Sequence, residues 1–139
     1  MKVRNGYVSN SSSSSFFIMY KEKSHVRFGS KDGKFLSNFY IDELFDYINS
    51  LNNYSGDSTQ IEANGFDNVF NYLTVEDQYG YRRYDAEYSD GIIKKMLDNK
   101  EQYPEAAILR VSYDDKITSK LLKAFIDSGE VISVDEEES

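Results

Sequence analysis

Polar and apolar positions follow two different periods along the chain, and the switches between them mark its elements. Phe16-Phe17-Ile18-Met19-Tyr20 is a short, continuous, aromatic-rich apolar run, which predicts a buried strand. Val26-Arg27-Phe28 is a second extended candidate, and Gly29-Ser30-Lys31-Asp32-Gly33 predicts the turn of a hairpin. The period then changes. Ile41, Leu44, Phe45, Ile48 and Leu51 fall at i, i+3, i+4, i+7 and i+10, a single helical stripe. Asp42, Glu43 and Asp46 load its first turns with negative charge, which suits the positive end of a helix dipole. Asn52-Asn53 and Gly56 end it. Thr59-Gln60-Ile61-Glu62-Ala63 predicts a short strand, and Asp67 the cap of a short helix carrying Val69, Phe70 and Leu73.

Residues 76–90 break the pattern. They hold no Leu, Ile, Val, Met or Phe, yet carry four of the twelve tyrosines. Ser89 or Asp90 is the expected cap of the next helix, whose apolar face is Ile92, Ile93, Met96 and Leu97, and Pro104 stops it. The C-terminal part is the clearest unit. Ala106 to Tyr113 predicts a strand, and Asp114-Asp115 its turn and the following cap. Ile117, Leu121, Leu122, Phe125 and Ile126 form a helix stripe, Gly129 a C-terminal cap, and Val131 to Val134 a last strand. Strand, helix and strand at this spacing predict a βαβ unit, with a right-handed crossover if both strands share a sheet. The expected fold is α+β: one domain over residues 1–139, with a small mixed sheet of four or five strands and about three helices on one face. A serine-rich leader (1–15) precedes it and an acidic tail (135–139) follows.

Composition narrows the chemistry. The chain has no Cys, which excludes thiol catalysis, disulfides, iron–sulfur clusters and Cys-ligated zinc. His25 is the only imidazole, so no site can use two His ligands and any Ser–His–Asp triad must run through it. The net charge of −8 argues against a general phosphate-backbone binder, so nucleic acid is disfavoured as a partner. That charge is unevenly spread. Residues 1–34 hold seven bases and two acids, net +5, while residues 35–139 hold nine bases and 22 acids, net −13. No apolar run approaches a membrane span of about 18 residues. The N-terminus lacks the apolar core of a signal peptide, so a cytoplasmic setting without membrane contact is the expectation.

Arg4-Asn5-Gly6-Tyr7-Val8-Ser9-Asn10, the serine run Ser11, Ser12, Ser13, Ser14 and Ser15, and Phe16 together form a specific motif. It resembles an N-terminal signature of small uncharacterised proteins of bacteriophages and bacteria. The resemblance covers the first 16 to 18 residues and brings no catalytic residue. It implies a phage or prophage context, hence an accessory protein or a virion component. For the serines themselves three readings compete: a flexible leader, accessible hydroxyls for covalent modification, or a hydroxyl-lined loop that holds an anion beside Lys2 and Arg4.

Each remaining constellation has a bland alternative. Asp114 and Asp115 end a predicted strand, where α/β folds place ligands, and two carboxylates there could hold Mg²⁺. Adjacent strand residues point to opposite faces, however, and Asp caps helices well, so the turn-and-cap reading is favoured. His25 would need a partner carboxylate, and the sequence offers only Glu22 nearby. Gly29 to Gly33 lacks the Gly-Lys-Ser/Thr ending of a phosphate loop. Arg82 and Arg83 among Tyr79, Tyr81, Tyr84 and Tyr88 resemble a stacking patch for single-stranded nucleic acid. The flanking Glu76, Asp77, Asp85, Glu87 and Asp90 would repel phosphates. A protein-binding loop fits those residue types, as does an edge hairpin with tyrosines lying over the core.

The functional expectation is a non-enzymatic phage-type accessory protein that binds a host or phage protein through Tyr79, Tyr81, Arg82, Arg83, Tyr84, Tyr88 and an acidic surface, an inhibitor being one form of this. No catalytic residue, metal or cofactor is assigned. One alternative is a virion or assembly component that uses its N-terminal segment between subunits, which leaves self-association open. The other is a Mg²⁺-dependent enzyme built on Asp114 and Asp115.

Overall fold

The computed structural model describes residues 13–30, 32–34, 36–51 and 59–135. The elements in chain order are β1 (Ser13–Tyr20), β2 (His25–Gly29), β3 (Leu36–Tyr40), α1 (Ile41–Ser50), β4 (Gln60–Asn64), α2 (Phe66–Thr74), α3 (Ala86–Asn99), β5 (Glu105–Ser112), α4 (Lys116–Asp127) and β6 (Val131–Ser133). The α+β class read from the sequence is the class observed. A four-stranded sheet in the order β4-β5-β1-β6 is accompanied by a separate two-stranded sheet of β2 and β3. Every pair in the larger sheet is antiparallel rather than mixed. The βαβ unit is present as β5-α4-β6. Its two strands share the sheet and point the same way, but β1 lies between them and pairs with both.

The alternation along β1 explains the layers. Phe16, Ile18 and Tyr20 face one way, and Phe17 and Met19 the other. Both faces are therefore apolar, and both need cover. On the first, Ile18 and Tyr20 join Leu109 and Val111 of β5 beneath α1 (Ile41, Leu44, Phe45, Ile48) and α4 (Leu122, Phe125), with Val26 of the β2–β3 hairpin. On the second, Phe17, Met19 and Ile108 lie beneath α2 (Val69, Leu73) and α3 (Tyr88, Ile92, Met96). The expectation of about three helices on one face thus becomes, among the described residues, four helices, two on each face.

Several boundaries shift for local reasons. Gly65, at φ 108, is the residue before the first turn of α2, and Asp67 sits within that turn. A side chain at that angle would be strained, so the chain uses glycine to enter the helix. α3 starts at Ala86, earlier than the Ser89 or Asp90 cap expected from its stripe. Asp85 caps it, with Oδ1 accepting from the Tyr88 amide at 2.8 Å. Tyr88 is itself a stripe residue, one turn ahead of Ile92. At the other ends, Ser13, Ser14 and Ser15 belong to β1 and pair with Ser112, Val111 and Arg110, so the leader does not extend to residue 15. Asp135 is buried and accepts a hydrogen bond from the Ser133 hydroxyl at 2.7 Å, so it is not part of a solvated tail. Residues 136–139 lie outside the described residues.

Candidate functional site

Between α2 and α3 the chain makes a closed turn. A bridge pairs Glu76 with Arg82, and the Asp77 amide donates to the Tyr81 carbonyl at 2.8 Å. Asp77 organises the tip from inside. Its Oδ1 accepts from the amides of Tyr79 at 2.8 Å and Tyr81 at 3.0 Å, and its carbonyl accepts from the Gly80 amide at 3.0 Å. Gly80, at φ 83, supplies the left-handed conformation that the tip requires. The result is a pinned turn that holds Tyr79 and Tyr81 outward, 73% and 71% exposed.

The six tyrosines and arginines read as one patch do not form one. Tyr79 and Tyr81 are at the surface. Tyr84 and Tyr88 turn inward and clasp Phe17 edge-on, with ring centroids 5.7 Å and 6.3 Å from it. Arg82 pairs with Asp90 at 3.1 Å. Arg83 is exposed and lies over the Tyr72 ring, 4.2 Å from its centroid. The segment is therefore divided: its tip projects, and its C-terminal end packs into the core as the core-hairpin reading expects.

The buried half meets the serine run. Ser13 and Ser15 are buried on β1, on the same side of the sheet as Phe17. Ser15 hydrogen-bonds Tyr84, and Tyr84 hydrogen-bonds Tyr72. Burial first, then the neighbouring Tyr72 and Glu62, push the Tyr84 hydroxyl up to about 12, against smaller opposing effects of Ser15 and Arg83. Arg110, opposite Ser15 in register, pairs with Glu62 at 3.4 Å. These contacts make Ser15 a structural hydroxyl. Buried Ser13 and Ser15 do not fit the accessible-acceptor reading, Ser14 is half-buried, and Ser11 and Ser12 lie outside the described residues, as do Lys2 and Arg4 of the anion reading.

Asp115 is the N-cap of α4. Its Oδ1 accepts from the Thr118 amide at 2.9 Å, and its Oδ2 from the hydroxyls of Thr118 and Thr59, both at 2.7 Å. Burial raises its pKa, but those hydrogen bonds outweigh it and hold the carboxyl below its ordinary value. Asp114 is exposed in the preceding turn. Among the described residues, no group of three or more His, Asp or Glu side chains is placed to hold a metal ion. This is the turn-and-cap geometry, with the Asp115 oxygens committed to the fold.

His25 has a carboxylate neighbour that its own stretch of sequence did not supply. Glu130 Oε1 lies 3.8 Å from its Nδ1, but the shorter contact, 3.0 Å, is to the His25 backbone amide. The ring Nδ1 also lies 3.2 Å from the Lys23 carbonyl, and the ring packs against Tyr40. Glu130 thus anchors the start of β2.

Two shallow grooves run along α3 from the exposed turn. One is lined by Glu76, Tyr81, Arg82, Tyr84 and Asp85, and the other by Asp85, Glu87, Gly91, Lys95 and the buried Asp135, so they share Asp85. Asp77, which makes the tip rigid, and Tyr72, which holds Arg83, were not singled out by sequence reasoning. An Asp two residues before a Tyr-Gly-Tyr tip was the available clue to the first. Among the described residues, no helix is long and apolar enough to cross a membrane. No protein-family model, curated protein or solved structure matches the chain.

Proposed function

We propose that the chain is a non-enzymatic accessory protein that binds another protein through the turn from Asp77 to Arg83. The observation that carries this reading is the exposure of Tyr79 and Tyr81 on a turn whose backbone is already fixed. Large aromatic side chains kept out of a core that has room for tyrosines elsewhere are costly to leave in water and well suited to a partner. A pre-set backbone also lowers the ordering cost of binding. The N-terminal resemblance supports a phage-type setting, in which the partner is a host or phage protein.

Affinity capture from host lysate with the wild-type chain and with Tyr79→Ser/Tyr81→Ser tests the reading. Both side chains are exposed, so the variant retains its fold, which circular dichroism checks. Interface aromatics of this kind are worth about 2 kcal/mol or more each, so the pair should deplete true partners more than tenfold. Equal recovery of the same proteins by both forms, or of none by either, overturns the assignment.

A further inference from the structure

We infer that the partner segment taken by this surface is basic, an extended Lys- or Arg-bearing stretch that runs from the Tyr79–Tyr81 tip along α3 past Asp85 and Glu87. This rests on the protein-binding reading above and adds the chemistry of the partner. Three observations carry it. The two exposed tyrosines offer ring faces, which attract ammonium and guanidinium groups. The grooves beside them, at and just beyond the start of α3, carry the exposed carboxylates Glu76, Asp85 and Glu87, against Arg82 and Lys95 as their cations. The cations of the same segment are already used: Arg82 by Asp90, and Arg83 by the Tyr72 ring. From Glu76 to Asp90 there are five acids against two bases, so the surface around the rings is negative.

A neutral or acidic occupant would have to strip water from those carboxylates without compensation. Phosphates would be repelled. A basic segment satisfies the carboxylates and stacks its cations on the rings together, so aromatic and acidic groups select the same partner. Such attraction steers association and weakens with salt.

The test uses the full chain and a fluorescein-labelled peptide of alternating Lys and Gly, followed by fluorescence anisotropy at low and physiological salt, with a Glu/Gly peptide as the comparison. The expected result is binding of the Lys peptide alone. Glu76→Gln/Glu87→Gln should weaken it about fivefold or more, and Tyr79→Ser/Tyr81→Ser comparably. A control pair with the same charge change elsewhere, Glu101→Gln/Asp114→Asn, should change it less than about twofold. Equal weakening by the two carboxylate pairs would show attraction to net charge alone and overturn the inference, as would no binding of the Lys peptide. The two levels separate cleanly. If lysate partners depend on Tyr79 and Tyr81 but the Lys peptide ignores Glu76 and Glu87, the contact turn stands and the basic partner falls. If lysate partners ignore the tyrosines, the contact turn itself falls.

Discussion

Replacing Asp115 with Ala separates a structural carboxylate from a catalytic one. The Asp115 side chain joins three parts of the fold: it caps α4, reaches the Thr118 hydroxyl one turn in, and reaches Thr59 just before β4. Thr59 in turn accepts from the Ser112 amide at 2.9 Å, which ties the end of β5 to the same cluster. Thr59 and Thr118 are both buried. Losing the cap costs about 1 kcal/mol. Leaving two buried hydroxyls without their acceptor adds about 1 kcal/mol each, at the low end because each can turn toward another oxygen. The expected loss is about 3 kcal/mol, a large share of the roughly 5–15 kcal/mol of a typical domain. With a urea slope of about 1.5 kcal/mol/M, the unfolding midpoint falls by about 2 M. Asp115→Asn keeps one acceptor oxygen and should lose less than half as much. The effect depends on pH in a definite direction. The folded pKa is lowered, so the carboxylate's contribution is present above the unfolded value of about 3.9 and is lost as pH falls through the folded value. The difference between wild type and Asp115→Ala, read by far-UV circular dichroism in urea, should therefore shrink on the acid side of pH 4. A midpoint change under about 0.3 M, or a difference that is the same at pH 3 and pH 7, would refute the assignment. So would a rise in the wild-type midpoint with millimolar Mg²⁺, since a bound ion stabilises the folded state by mass action.

Asp77→Ala removes the acceptor of the Tyr79 and Tyr81 amides, two exposed hydrogen bonds worth together about 1–1.5 kcal/mol. Those amides should exchange with solvent about tenfold faster and the urea midpoint should fall by up to about 1 M, and unchanged exchange would show that the turn is not held by Asp77. On the alkaline side, Tyr20, Tyr72 and Tyr84 all have raised pKa values, with burial the first cause in each. Raised values give stability that is complete below the unfolded value of about 10 and is lost as pH rises toward the folded one, near 12 for Tyr84. Tyr84→Phe should flatten that loss between pH 10 and 12, and identical slopes for the two proteins would overturn this account.

The parts of the fold legible in the sequence are those where one period runs undisturbed. The stripe from Ile41 to Leu51 became α1, with Leu51 just past its end as the C-cap, and the β5-α4-β6 unit fell where its apolar runs and Asp115 placed it. What escaped depended on the third dimension. The Phe16–Tyr20 run shows that a strand is buried, but not that α1 and α4 cover one face while α2 and α3 cover the other. Tyrosine was the main source of error. At Tyr88 it serves as a core residue of α3, at Tyr84 it seals Phe17, and at Tyr79 and Tyr81 it projects into water. One residue type at close spacing carries two jobs, because a ring with a polar tip suits either side of a boundary. Glu130 shows the same limit. It meets His25 from 105 positions away, where no local pattern could announce it.

The way the sheet is covered also constrains where this protein can meet a partner. Both faces of β4-β5-β1-β6 lie beneath helices, so neither is free. Its two edges are poor templates for an added strand: β6 is three residues long, and β4 carries an irregular register between Ile61 and Ala63. On the proposed protein-binding reading, this favours the connections that leave the layers as points of contact. Among the described ones, the turn between α2 and α3 combines a fixed backbone with two outward aromatic rings and an adjoining acidic groove. The inward end of that same segment is anchored by Tyr84 and Tyr88 on Phe17. Asp77 holds the tip itself, and these ring contacts hold the end of the segment from which it projects. If the turn is the proposed contact loop, its fixed backbone lowers the ordering cost of binding, and a partner should meet it without ordering it first.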